Sequence, residues 1–153
     1  MPKVSIIIVT HNSSDTIKSC LDSVKNQTFK DLEVIVVDNA SQDGSLDLLK
    51  SGYSNIKLIE NKENNGFSRT NNQGIYVSSA RYILTLNPDA IVDKEFTQNV
   101  VDFLENNANS RIGMVSGKVL RDKGSIIDSS GLVLTRFRRF FDRGAGCLDN
   151  GRY

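Results

Sequence analysis

Short runs of β-branched and leucine residues alternate along this chain with stretches of helical periodicity, and that alternation constrains its fold more than any other feature. The first run, Val-Ser-Ile-Ile-Ile-Val at residues 4–9, is too short for a signal-peptide core or a membrane span and ends in polar Thr10-His11-Asn12, so it predicts a buried strand. Asn12, Ser13 and Ser14 then offer N-cap oxygens to a helix whose apolar stripe is Ile17, Cys20, Leu21 and Val24. A second run at 32–37 is followed by Asp38, and Ser41-Gln42-Asp43-Gly44 leads into a short helix expected to bury Leu46, Leu48 and Leu49.

The same rhythm continues. Residues 56–59 predict a third strand, Asn64-Asn65-Gly66 punctuates the chain, and a weaker helical pattern runs over about 68–79. Residues 82–86 predict a fourth strand, and Phe96, Val100, Phe103 and Leu104 repeat at helical spacing up to an Asn106-Asn107 stop. Two further strands are expected at 112–120 and about 126–135, with Gly131 as a bulge, before an aperiodic Arg/Gly-rich tail. Strands alternating with helices at this spacing imply right-handed crossovers and an α/β fold: a doubly wound, mostly parallel sheet with helices on both faces. With no repeat and no linker, residues 1–153 are expected to form one domain, with about 121–153 peripheral.

Composition narrows the partners. Nineteen Lys and Arg against eighteen Asp and Glu leave no bulk field to attract nucleic acid. The two cysteines, Cys20 and Cys147, have neither metal-ligand nor disulfide-framework spacing, so a reducing, cytoplasmic setting is expected.

In doubly wound sheets ligands settle beyond the carboxyl ends of the strands. The strands here end in Thr10-His11-Asn12, in Asp38-Asn39, in the segment Asn64-Asn65-Gly66-Phe67-Ser68-Arg69, and in Asn87-Pro88-Asp89. Asp38, an acceptor-only side chain closing an apolar run, suits a ribose hydroxyl or the imide N–H of uracil or thymine, and suits equally the capping of a turn. Asp89, held at the lip of a strand, suits Mg²⁺ or Mn²⁺ already bound to phosphates, with Asn87 beside it as an amide donor or acceptor; Asn-Pro is also an ordinary turn starter. Gly66 leads into a helix start whose free N–H groups favour an anion, with Arg69 nearby. Lone His11 is given no proton-transfer role.

Residues 4–12, 34–45, 64–74 and 86–90, in this order and spacing, resemble glycosyltransferase family 2, which has the GT-A fold. The Asn-Pro-Asp-Ala and Asn-Asn-Gly-Phe segments are most similar to bacterial rhamnosyltransferase-type enzymes that build cell-surface polysaccharide. The resemblance is strong over about residues 3–120. It implies that Thr10 and Asn12 line a nucleotide pocket, that Asp38 contacts base or ribose, that Arg69 and Asn72 lie near the donor, and that Asp89 ligates the metal. Asn87 stands where many relatives carry the first Asp of an Asp-Xaa-Asp motif.

The resemblance further implies an inverting transfer from a UDP- or dTDP-linked sugar to a glycan or lipid-linked acceptor. Such enzymes normally continue well past the point matching Tyr153, and that continuation supplies the acceptor pocket and a carboxylate general base. The expectation is therefore a donor-binding portion that transfers poorly alone. Asp128, Asp142 and Asp149 sit among turn residues and are not assigned as that base. Residues 136–143, with four Arg, one Asp and three Phe, suit a phosphate or lipid-diphosphate contact at a membrane surface, a solvated edge, or a surface expected to pack against the continuation that the resemblance implies. The rival reading is a non-catalytic nucleotide-binding or assembly module on the same fold.

Overall fold

A computed structural model describes residues 1–106, 111–121 and 124–152. It comprises two compact units, residues 1–99 and residues 100–153. The first holds β1 (Val4–Thr10), α1 (Ile17–Lys25), β2 (Leu32–Asp38), α2 (Ser45–Gly52), β3 (Lys57–Glu60), α3 (Phe67–Val77) and β4 (Tyr82–Leu86). α4 (Phe96–Asn106) starts in it and ends in the second unit. The order β3-β2-β1-β4, with every pairing parallel, is the doubly wound arrangement expected.

β1 sits in the interior of this sheet, and all seven of its residues are buried, which is why it reads as a continuous apolar run. The stripe Ile17, Cys20, Leu21 and Val24 is buried as predicted. On the opposite face α3 lies close against β1 and β2. A Cβ on Gly74 would come within 2.5 Å of the Ile7 Cγ2 methyl, so only glycine permits this approach. Ile7, Ile35 and Val37 form the core there, with Ile59 and Val77 packed against it.

Several local expectations are corrected. The side chains of Asn12, Ser13 and Ser14 do not cap α1: the N-cap is Thr16, and the Ser13 carbonyl accepts the N–H groups of Thr16 and Ile17. α2 fully buries Leu49 and Ser45, whereas Leu46 and Leu48 are only partly covered, because eight residues give a stripe barely two turns long. In α4 the deepest residues are Thr97 and Val101 rather than Phe103, which is half exposed. Asn107 of the expected stop lies outside the described residues.

The second unit is built from hairpins. β5 (Val119–Arg121) pairs antiparallel with β6 (Ile126–Ser129), and β7 (Leu132–Leu134) with β8 (Phe140–Asp142). The strand expected over 112–120 is confined to its last residues. The one expected over 126–135 is cut in two by Gly131, whose φ of 120° suits glycine alone. The tail taken as aperiodic supplies β8.

Candidate functional site

In a parallel sheet every strand ends on the same edge, so the four polar strand ends share one rim of the first unit. Register sets their heights: Thr10 stands level with Asp38 and Asp38 with Glu60, while Leu86 stands level with Ile8. The turn after β4 therefore runs past the level of Thr10.

The loops after β1 and β2 are laced together. The Asn12 N–H donates to Ser41 Oγ, the Ser13 N–H to Ser45 Oγ and the Ser14 N–H to Asp43 Oδ2, while Asn12 Oδ1 accepts the Gln42 N–H at 2.8 Å. Asn12 holds a φ of 52°, a conformation asparagine tolerates better than most residues. The Ser45 hydroxyl and the Ser14 amide hold the Asp43 carboxyl well below the usual carboxylate range, because both hydrogen bonds favour the ionised form. His11 Nδ1 donates to the Asn39 carbonyl at 2.9 Å, so His11 is a linking residue.

Asp38 is only 1% exposed. Its Oδ2 accepts the Ser41 N–H at 3.0 Å, so the turn-capping role is real, but Oδ1 is buried without a partner. The hydroxyl of Thr10, level with it on the neighbouring strand, is equally buried and equally unpartnered. A buried acceptor left unsatisfied costs about 1–3 kcal/mol, and more when charged, so these two oxygens mark a place that a polar donor would stabilise.

The end of β3 and the start of α3 are tied to Asn39. Asn39 Nδ2 donates to Asn64 Oδ1 at 2.7 Å, and its Oδ1 accepts from Asn61 Nδ2 and from the Asn65 N–H. Asn61 and Gln73 exchange a reciprocal amide pair. These amides were not singled out from sequence; the density of Asn between 61 and 72 is the signal that could have found them. Gly66 opens α3 with a φ of 76° and no side-chain cap, leaving first-turn N–H groups free. Arg69 and Asn72 are exposed and line a shallow, open hollow with Ile59, Gln73, Tyr76 and Val77, on the β3 flank. Three interstrand spacings of about 4.8 Å separate that flank from β4, roughly 14 Å. The predicted residues thus share the rim but form two groups across it.

At the β4 end, Asn87-Pro88-Asp89-Ala90 is a turn in which the Asn87 carbonyl accepts the Ala90 N–H at 3.1 Å and the Cys20 thiol at 3.4 Å. Burial, with the nearby Asp89 carboxylate adding to it, pushes the Cys20 thiol up to about 11, so it stays protonated and able to donate. Asn87 and Asp89 are exposed. Among the described residues no three His, Cys, Asp or Glu side chains converge on a point that could hold a metal. A cavity of about 280 Å³, lined by Leu21, Val24, Phe29, Leu32 and Tyr53 among others, lies beside the start of β2, at the opposite end of the sheet from this chemistry. Two of the three late acids are engaged elsewhere: Asp128 pairs with Arg121 and Asp149 with Lys118.

A parallel sheet in the order β3-β2-β1-β4 with a polar rim after each strand defines an α/β protein of the GT-A kind. Residues 5–148 match the Glycosyl transferase family 2 model, and the chain belongs to that family. It is 37% identical over 122 residues to a poly(ribitol-phosphate) beta-glucosyltransferase of Bacillus spizizenii, covering 75% of this chain and 19% of that protein. It is 30% identical over 124 residues to the glycosyltransferase AglE of Haloferax volcanii, covering 78% and 40%. Among solved structures it is similar to the mannosyltransferase PcManGT of Pyrobaculum calidifontis in complex with GDP-Man and Mn²⁺, with a TM-score of 0.65, 25% identity, and coverage of 78% of this chain and 36% of that one. S. aureus TarS in complex with UDP-GlcNAc shares the fold at a TM-score of 0.66 and 24% identity, covering 78% and 38%. The chain thus spans well under half the length of these relatives. No helix among the described residues is long and apolar enough to cross a membrane.

Proposed function

We propose that this chain forms the donor-binding part of an inverting glycosyltransferase that moves a sugar from a UDP- or dTDP-linked donor to a cell-surface polysaccharide or glycolipid acceptor. The observation that carries this reading is the buried, unpartnered Oδ1 of Asp38 beside the unpartnered Thr10 hydroxyl, at the carboxyl end of the two longest strands. An imide N–H of uracil or thymine, or a ribose hydroxyl, supplies the missing donor. Along the rim, the free N–H groups at the start of α3 and Arg69 favour an anionic part of the donor on the β3 flank.

At the other end of the rim Asp89 fits a hard divalent cation such as Mg²⁺ or Mn²⁺. Its single exposed carboxylate suits an ion that takes the rest of its shell from water and phosphate, and Asn87 replaces a second acid with an amide. Bound there, the ion would neutralise charge on the leaving diphosphate. Inversion also needs a carboxylate to take the acceptor proton, and no residue of this chain is assigned that role. Family membership and the glycosyltransferase relatives support the reaction class. The Asn-Pro-Asp-Ala and Asn-Asn-Gly-Phe segments favour a rhamnosyl donor on dTDP as the particular case. The setting is the cytoplasm, with residues 136–143 as a peripheral contact to anionic lipid.

Titration of the chain with UDP and with dTDP, each with and without Mn²⁺, tests the proposal. Binding should strengthen with Mn²⁺, and Asp89→Ala should remove that dependence while leaving the fold intact. Failure of both nucleotides to bind, or an Asp89→Ala chain with unaltered Mn²⁺ dependence, overturns it. dTDP competing no better than UDP removes the rhamnosyl case. Binding without transfer by any longer form of the protein favours the non-catalytic module.

A further inference from the structure

Asn39 is 2% exposed, and its backbone and side-chain hydrogen-bonding groups are all engaged with the rim. Its N–H donates to the Thr10 carbonyl and its carbonyl accepts from His11 Nδ1, both at the end of β1. Its side-chain nitrogen donates to Asn64 Oδ1, and its side-chain oxygen accepts from Asn61 Nδ2 and the Asn65 N–H. Asn64 Oδ1 in turn accepts the Gly66 N–H at 2.9 Å, at the residue whose φ of 76° opens α3. Asn61 continues the chain of contacts through its amide pair with Gln73, two turns into that helix. The Asn61 N–H also donates to the carbonyl of Asp38.

These contacts call for a side chain with both a donor and an acceptor, which an amide supplies. Aspartate lacks the donor that Asn64 Oδ1 receives, and a residue without a polar side chain leaves the Asn65 amide and the Asn61 side chain without their acceptor. We infer that Asn39 is a positioning residue: through Asn64 and Asn61 it sets the 61–66 segment, and with it the start of α3, at a fixed place relative to Asp38. This inference rests on the proposed nucleotide site for its functional consequence but not for its structural content. Asn39 touches no substrate in this account; it acts through the segment it holds.

The link is tested from both ends. Asn64 is exposed, so Asn64→Ala removes the same hydrogen bond without disturbing the core and remains informative even where Asn39→Ala folds poorly. Amide hydrogen exchange comes first: Asn39→Ala and Asn64→Ala should each speed exchange at Asn65 and Gly66 at least about tenfold while leaving the β1 amides protected. Nucleotide affinity comes second: both variants should weaken UDP binding about tenfold, and the double variant should lose less than the sum of the single ones, because the two share the Asn39–Asn64 hydrogen bond. Glu33→Gln, which disturbs the contacts of Glu33 with Ser5 and Ser79 at the far end of the sheet, serves as the control that alters packing without altering affinity.

Unaltered exchange at Asn65 and Gly66 in both variants overturns the inference. So does altered exchange with unaltered UDP affinity, or a double variant whose losses simply add. A wild-type chain that binds no nucleotide overturns the proposed site instead, and the exchange data then still decide whether Asn39 holds the segment.

Discussion

The two units of this molecule use their apolar sequence in opposite ways. In the first, β1 is buried along its whole length and is hydrogen-bonded on both sides, to β2 and to β4. In the second, β5 and β8 are exposed at every residue, and Phe137, Phe140 and Phe141 all remain more than half exposed. The difference teaches where stability and chemistry reside. A rim that places polar groups to a fraction of an ångström needs a rigid sheet beneath it, and only the first unit has one. The hairpins bury Ile127 and otherwise rely on local polar contacts, such as the Arg143 guanidinium on the Ser130 carbonyl at 2.8 Å.

Core truncation should separate the units most sharply. Ile7→Ala, at a fully buried position between α3 and the sheet, should lower the unfolding free energy by about 2–5 kcal/mol, measured by urea titration. The contrast between units fails if Phe140→Ala in β8 costs as much.

Overpacking the same place ranks next. Gly74→Ala puts a methyl against Ile7 Cγ2 and should cost about 1–3 kcal/mol as α3 is pushed off β1. A neutral effect would mean that α3 is free to shift, and the start of α3 could not then be a fixed part of the rim.

A smaller effect lies in acid. The Asp43 carboxyl is held below its usual range by Ser45 and Ser14, so its folded-state pKa lies under the unfolded value of about 3.9. Its contribution is therefore present above about pH 4 and is lost as the pH falls through the folded-state value. Asp43→Asn should flatten the acid limb of the melting temperature against pH, and should loosen the Ser14 amide in hydrogen exchange. A profile unchanged by the substitution would show that the lacing of the two loops contributes nothing.

The least effect is expected where apolar surface is already in water. Phe140→Ser should change stability by no more than about 0.5 kcal/mol. A larger loss would show that β8 is buried in solution, and would remove the contrast between the two units.

Most of the first unit was legible in sequence because its signals are local. A buried central strand reads as a nearly continuous apolar run, and a helix covering one face must repeat at helical spacing, so β1, α1 and β4 lie within a residue or so of where the pattern places them. The second unit was less legible for the same reason. Three-residue strands carry too little period to register, and a lone Gly131 reads as a bulge inside one strand although it divides two.

The sequence by itself determined the order of strands and helices, the parallel sheet and the set of polar residues that must gather at its carboxyl edge, because each depends on periodicity and on handed crossovers. Only the tertiary structure decided how those residues are used. Asn12 is committed to Gln42, Asp38 keeps one carboxylate oxygen sealed without a partner, and Arg69 and Asn72 stand on a flank away from Asp89. Asn39, unremarkable in a list of residues, emerged as the knot of the rim. Hydrogen bonds between residues twenty or more positions apart follow from which strand lies beside which and at what register, and no local pattern carries that information.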